Sequence, residues 1–139
     1  MTYARRATAM KGINSYAKIG LETQVMSASP ERLITLLFAG ARTSMAQAML
    51  HLDAGRIAER GAALSKAIRI VEEGLRASLD MKAGGELSTR LEHLYDYIVR
   101  TLLSANLNAD RAQIEQADAL LANIEEAWLT SVDPTSATI

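Results

Sequence analysis

The densest run of apolar positions lies between Leu33 and Phe38, where Leu33, Ile34, Leu36, Leu37 and Phe38 leave only Thr35 polar. At about 100° per residue these five side chains spread over roughly 200° of a helix surface, twice the stripe of a helix packed on one side. Half of that arc serves a core, and the other half calls for a neighbour. The helix start is well marked: Ser29 suits an N-cap, accepting from orphan amides, and Pro30 at the first helical position has φ preset and no donor to lose. Further along, Ile57, Gly61, Leu64, Ile68, Val71, Leu75 and Leu79 follow at steps of three and four, which predicts a second helix over about 56–80. The same period recurs in Leu87, Leu91, Leu94, Ile98, Leu102 and Ala105, and again in Ile114, Ala117, Leu121, Ile124 and Trp128. Breaks fall at Asp53-Ala54-Gly55, at Lys82-Ala83-Gly84-Gly85 and at Asn106-Leu107-Asn108, all rich in residues that end or cap helices. Links this short make successive helices antiparallel. With Pro confined to 30 and 134 and little strand patterning, the expected fold is all-α: an antiparallel up-down four-helix bundle with a short N-terminal helical arm. The predicted organisation is an arm and cap over 1–28, the bundle over 29–130 and a flexible tail over 131–139.

A chain of 139 residues suits one domain and can bury roughly 68 to 70% of its unfolded surface without a disulfide or metal staple. The absence of cysteine excludes a thiolate nucleophile, a redox pair and a thiolate metal site. Residues 1–20 are basic but lack the apolar run of a signal peptide, and recurring charges argue against an uninterrupted membrane span, so a cytosolic protein without a membrane partner is expected. The net charge of -1 hides an asymmetry: Arg5, Arg6, Lys11 and Lys18 stand near the start with no acid among the first twenty residues, whereas residues 110–139 hold six acids and Arg111. Four cations on one arm, without a second basic face and with few aromatics, do not make a nucleic-acid surface.

Candidate chemistry is sparse. His51 and His93 are the only histidines, and neither is near a serine in a nucleophile-elbow setting. A di-iron bundle needs paired Glu-x-x-His motifs; here Glu92 adjoins His93, and adjacent residues point about 100° apart on a helix. The acid pairs Glu72-Glu73 and Glu125-Glu126 read as solvated surface, and Gly84-Gly85 lacks the Lys-Ser/Thr of a phosphate loop. No enzymatic activity, metal or cofactor is expected.

What remains is surplus apolar surface. Tyr95, Val99 and Leu102 flank the Leu87-to-Ala105 seam, making the third helix two-faced. Such positions belong either to the edge of the core, the reading that also fits Trp128, or to a groove that accepts a partner's amphipathic helix at i, i+3, i+4 and i+7. A bundle that self-associates through its wide arcs and a phosphotransfer module with one exposed histidine are the rival classes.

The ordered motifs resemble the FliS family of flagellin-specific export chaperones over nearly the whole chain. They include Ser15-Tyr16-Ala17, Val25-Met26-Ser27-Ala28-Ser29-Pro30 followed by Leu33-Ile34, Leu37-Phe38-Ala39-Gly40-Ala41, Lys66-Ala67-Ile68 and Gly74-Leu75-Arg76-Ala77-Ser78-Leu79-Asp80. Gly84-Gly85-Glu86-Leu87, Leu94-Tyr95-Asp96-Tyr97, Leu102-Leu103-Ser104-Ala105-Asn106 with Asp110, and Ala127-Trp128 complete the series. One departure is Ala39, where many members resemble an acid between the aromatic residue and Gly40. The resemblance implies a cytosolic bundle that binds the C-terminal segment of flagellin, prevents premature polymerisation and supports delivery to the export apparatus, as a monomer or weak dimer. It also allows an export-gate component and a flagellar regulator as partners. Among matching positions, Ile34, Leu37 and Phe38 of the first helix and Leu91, Tyr95 and Leu102 of the third are the partner-binding candidates. Ile13, Tyr16 and Ile19 form an apolar edge on the arm, expected to cap the groove.

Overall fold

The computed structural model describes residues 28–134, so the arm residues Ile13, Tyr16 and Ile19 lie outside the described part, as do positions 135–139 of the predicted tail. Four long helices follow in order: α1 (Pro30–Asp53), α2 (Ile57–Arg69), α3 (Gly85–Asn108) and α4 (Arg111–Ser131), with no strand among the described residues. α1 packs on α2 and α4, and α3 on α4 and α2, closing the ring of an up-down bundle.

Each start has a local cause. Ser29 accepts from the Arg32 amide at 3.1 Å, with Pro30 in the first turn, as the residue types dictate. Asp110 caps α4 by accepting from the amides of Ala112 and Gln113. The predicted break at residues 106–108 is displaced: α3 continues through them, and the reversal is made by Ala109, left-handed at φ 49, followed by the Asp110 cap. Asparagine tolerates the last helical turn when a cap stands immediately beyond it.

The predicted second helix over 56–80 is not one continuous α-helix. After α2 the backbone widens into a π-helical stretch, Ile70–Leu75, and then tightens into a 3₁₀ turn, Arg76–Ser78. Gly74 lies in the wide stretch, and a Cβ there would come within 2.8 Å of Leu37 Cδ2, so a larger residue would have to displace that buried side chain. Two positions of the predicted seams are exposed, Ile57 at 69% and Leu87 at 65%, each in the first turn of its helix.

The core runs through Leu33, Leu37, Ala41, Met45 and Ala48 of α1, Leu64 and Ala67 of α2, Ile98, Leu102 and Ala105 of α3, and Ile114, Ala117 and Leu121 of α4, all fully buried. Polar ties reinforce it between helices. Arg42 donates to Asp118 at 2.8 Å and Glu125 at 2.9 Å, joining α1 to α4, and Arg60 donates to the side chain and carbonyl of Asn106, joining α2 to α3. The hydrogen bonds it donates to Asp118, opposed by desolvation and assisted by Glu125, raise the Arg42 pKa above its already high ordinary value. A raised cation contributes its stabilisation fully below the ordinary guanidinium range, so this group adds no pH dependence near neutrality.

The expectation that charges exclude a membrane span needs correction for α1. Arg42 is the one charged residue between Leu33 and Leu50, and by length and composition α1 is long and apolar enough to cross a membrane. Its burial pattern explains the composition: one face fills the bundle core, and Arg42 is paired with α4.

Candidate partner-binding groove

An up-down bundle brings the start of α1, the end of the second helical rod, the start of α3 and the end of α4 to one end of the molecule. There the four elements do not close on one another but leave a groove of about 630 Å³. α1 contributes Pro30, Ile34 and Phe38; α3 contributes Leu87, Leu91 and Tyr95; α4 contributes Ile124, Ala127 and Trp128. Pro30, Ile34 and Phe38 step by four, as do Leu87, Leu91 and Tyr95 and the pair Ile124 and Trp128, the spacing by which one helix presents a continuous ridge. Leu75 and Leu79 add a further wall, and the turn over residues 80–84 forms the rim.

That turn is built rather than loose. Asp80 Oδ1 accepts from the amides of Lys82 and Ala83, while the Asp80 carbonyl accepts from the Gly84 amide at 2.8 Å and from Ser88 Oγ at 2.9 Å. A Cβ on Gly84 would collide with Ser88 Oγ and lie 2.8 Å from the Asp80 carbonyl oxygen, so the tight return into α3 depends on glycine. The π-helical stretch acts on the same wall: each wide turn takes an extra residue, which re-aims Leu75 and the residues after it before Leu79 leaves the helix in an extended conformation.

Depth varies across the groove. Phe38 and Tyr95 form its floor at 1% and 3% exposure, Ile34, Leu91, Ile124 and Trp128 are half-buried along its sides, and exposed Leu87 stands at the lip. Burial raises the Tyr95 phenol above its ordinary pKa, so the floor stays uncharged at neutral pH. The Phe38 and Trp128 rings are tilted at 42° with centroids 6.5 Å apart, and the indole N–H of Trp128 donates to Thr35 Oγ1 at 2.9 Å.

Of the partner-binding candidates, Ile34, Phe38, Leu91 and Tyr95 come together in this groove. Leu37 and Leu102 do not: both are fully buried. Leu37 points about 100° away from Phe38, onto Gly74, and Leu102 lies seven residues beyond Tyr95, about 10 Å farther along the axis. They support the groove from within the core instead of lining it. Leu75, Leu79 and Ile124 were not singled out by the sequence pattern, which offers them as ordinary seam positions; Trp128 lines the groove and packs on Phe38 at once. The signal that finds them is topological: they flank the break at residues 82–85 or end the last helix, and so share one end of the bundle with Pro30.

The groove holds no reactive pairing. Ser78 Oγ donates to the Gly74 carbonyl and Ser88 Oγ to the Asp80 carbonyl, neither toward a base. Among the described residues no group of three His, Cys, Asp or Glu is placed to hold a metal ion. His93 is exposed, and His51, whose Nδ1 is buried without a partner, is on the last turn of α1, away from the groove lining. This is a surface for apolar contact.

A family model described as "Flagellar protein FliS" matches residues 12–135. The chain belongs to the FliS family. It is 50% identical to the flagellar secretion chaperone FliS of Salmonella typhimurium over 117 residues, covering 84% of this chain and 87% of that protein. With the flagellar secretion chaperone FliS of Escherichia coli it shares 45% identity over 124 residues, 89% of this chain and 91% of the relative. A third relative, the flagellar secretion chaperone FliSB of Pseudomonas aeruginosa, is 38% identical over 120 residues. Membership of the FliS family makes this a chaperone of flagellar biogenesis and export, a role discharged by binding another protein.

Proposed function

We propose that this chaperone binds the C-terminal segment of flagellin in the cytosol, with an amphipathic helix of that segment seated in the groove between α1, α3 and α4. The observation that carries the reading is the groove itself: about 630 Å³ of space, floored by Phe38 and Tyr95 and walled by helix ridges, left open where the bundle is otherwise packed. Helix-in-groove recognition inserts apolar anchors at i, i+3 or i+4 and i+7, the spacing that ridges of Ile34–Phe38 and Leu87–Leu91–Tyr95 receive. Covering the apolar face of flagellin's terminal segment removes the surface by which subunits polymerise. A guest that orders on binding loses part of its gain to chain entropy, which keeps release feasible at the export gate.

In the same reading, the arm residues Ile13, Tyr16 and Ile19 serve as a pseudo-ligand that flagellin displaces. Support comes from the join: Pro30, which opens α1, is itself part of the groove lining, so the chain enters the bundle at the lip.

The test is light scattering of the full chain, and of a chain starting at Leu21, with a flagellin C-terminal peptide. The full chain is expected to form a one-to-one complex, and the truncated chain to bind with altered affinity and an unchanged thermal midpoint. A tight homodimer indifferent to the peptide contradicts the flagellin reading, and unchanged affinity on truncation contradicts the pseudo-ligand.

A further inference from the structure

Thr35 stands on the apolar opening of α1 at 8% exposure, a place where a hydroxyl is destabilising unless it is hydrogen-bonded. Its Oγ1 accepts from Trp128 Nε1 at 2.9 Å, lies 2.6 Å from Asp133 Oδ2, and is 3.3 Å from the Glu31 carbonyl oxygen. One hydroxyl has one proton to give. The short contact to a carboxylate is the stronger acceptor, so Thr35 donates to Asp133 and its lone pair is left facing the indole. Asp133 is brought there by the curl that ends α4: the amides of Val132 and Asp133 both donate to the Trp128 carbonyl, at 2.8 and 3.1 Å.

The bridge has a consequence for the groove. An indole carries a single donor, so a bond to Thr35 fixes which edge of the ring turns toward α1. With that edge held, the ring tilts against Phe38 and becomes the α4 wall of the groove. Trp128 is half-buried, so packing alone leaves the ring room to swing; the hydrogen bond selects one of its orientations.

Resting on the helix-binding reading of the groove, we infer that Thr35 is a positioning residue for partner recognition. Its hydroxyl, oriented by Asp133, holds the Trp128 indole and thereby sets the width of the groove beside Ile34 and Phe38. The partner this fits is an amphipathic helix whose aliphatic anchors enter the space that the held ring leaves free. A ring released from Thr35 occupies part of that space itself.

Trp128 is the sole tryptophan, so its emission and its indole N–H resonance report the bridge without a label. Thr35→Val keeps the shape and removes the hydroxyl, Thr35→Ser keeps the hydroxyl, and Asp133→Ala removes the carboxylate to which that hydroxyl donates. In the free protein, Thr35→Val and Asp133→Ala are expected to move the emission maximum and the indole resonance, and Thr35→Ser to leave both near the wild-type values. Against a flagellin C-terminal peptide, Thr35→Val is expected to bind roughly five- to tenfold more weakly, because the freed ring holds the open orientation only part of the time, with Thr35→Ser within about twofold. Unmoved indole signals in Thr35→Val overturn the bridge, and unmoved signals in Asp133→Ala overturn the orienting part given to Asp133, since the hydroxyl can then donate to the Glu31 carbonyl instead. Moved signals with wild-type affinity, or Thr35→Ser as weak as Thr35→Val, overturn the role in recognition. A wild-type protein that ignores the peptide overturns the flagellin reading and the recognition half of this inference together, while the indole signals still decide whether Thr35 holds Trp128.

Discussion

Neighbouring residues on α1 divide between two tasks, and a turn of the helix is enough to separate them. Ile34 is half-buried on the groove side, whereas Leu37, three residues on, is fully buried against Gly74. Truncation should therefore read out differently at the two positions. Leu37→Ala removes a core side chain and is expected to lower unfolding free energy by about 2–5 kcal/mol, measured by urea denaturation, with the groove residues themselves intact. Ile34→Ala is expected to lower stability by only about 1 kcal/mol while weakening peptide capture by a larger amount. Equal stability losses with equal affinity losses would contradict the division. The sequence pattern places both residues on one over-wide apolar arc and cannot apportion them, because which half of an arc meets the core depends on where the other helices sit. Leu102 shows the same limit on α3: its apolar character is legible, its depth along the bundle is not.

At the scale of elements, the three- and four-residue steps identified four helical rods, and the cap chemistry of Ser29 and Pro30 fixed the start of α1 to the residue. The interruption after α2 was harder to see. Leu64, Ile68, Val71, Leu75 and Leu79 step by four, three, four and four, but Leu94, Ile98 and Leu102 take the same two fours within the regular α3, so the period carries no trace of the wide turn over Ile70–Leu75. The stretch contains Gly74, which lies close against Leu37 of α1, and a contact between residues so distant in sequence is invisible to a period count. The return from Leu79 into α3 is sharper in its consequences. Gly84→Ala forces its Cβ against Ser88 Oγ and the Asp80 carbonyl, so the turn must shift. We expect a loss of about 1–3 kcal/mol in thermal unfolding and weaker peptide binding, since this turn is the rim of the groove. A variant as stable as the wild type would mean that the turn is pliable and does not define the rim.

For the whole molecule, topology does what no single helix does. Short links make the rods antiparallel, antiparallel rods gather two helix starts and two helix ends at one pole, and that pole is where packing stops short and leaves the groove. The bundle was readable from the sequence because a helical period is a local property. The groove was readable only as surplus apolar surface, since its location follows from the meeting of residues as distant as Ile34, Leu91 and Trp128. The apolar composition of α1 belongs to the same picture: it is long and apolar enough to resemble a membrane span because it faces both the core and the groove.

The central claim, that this groove is the flagellin site, is tested most directly by calorimetric titration of a flagellin C-terminal peptide into the wild type and into Leu91→Asp. Leu91 is half-buried on the groove wall, so a carboxylate there leaves the core closed and places an unpaired charge where an apolar anchor must dock. The expected result is one-to-one binding by the wild type and an affinity loss of at least about tenfold in the variant, with its helical content retained. Wild-type affinity in a folded Leu91→Asp protein would contradict the assignment of the groove.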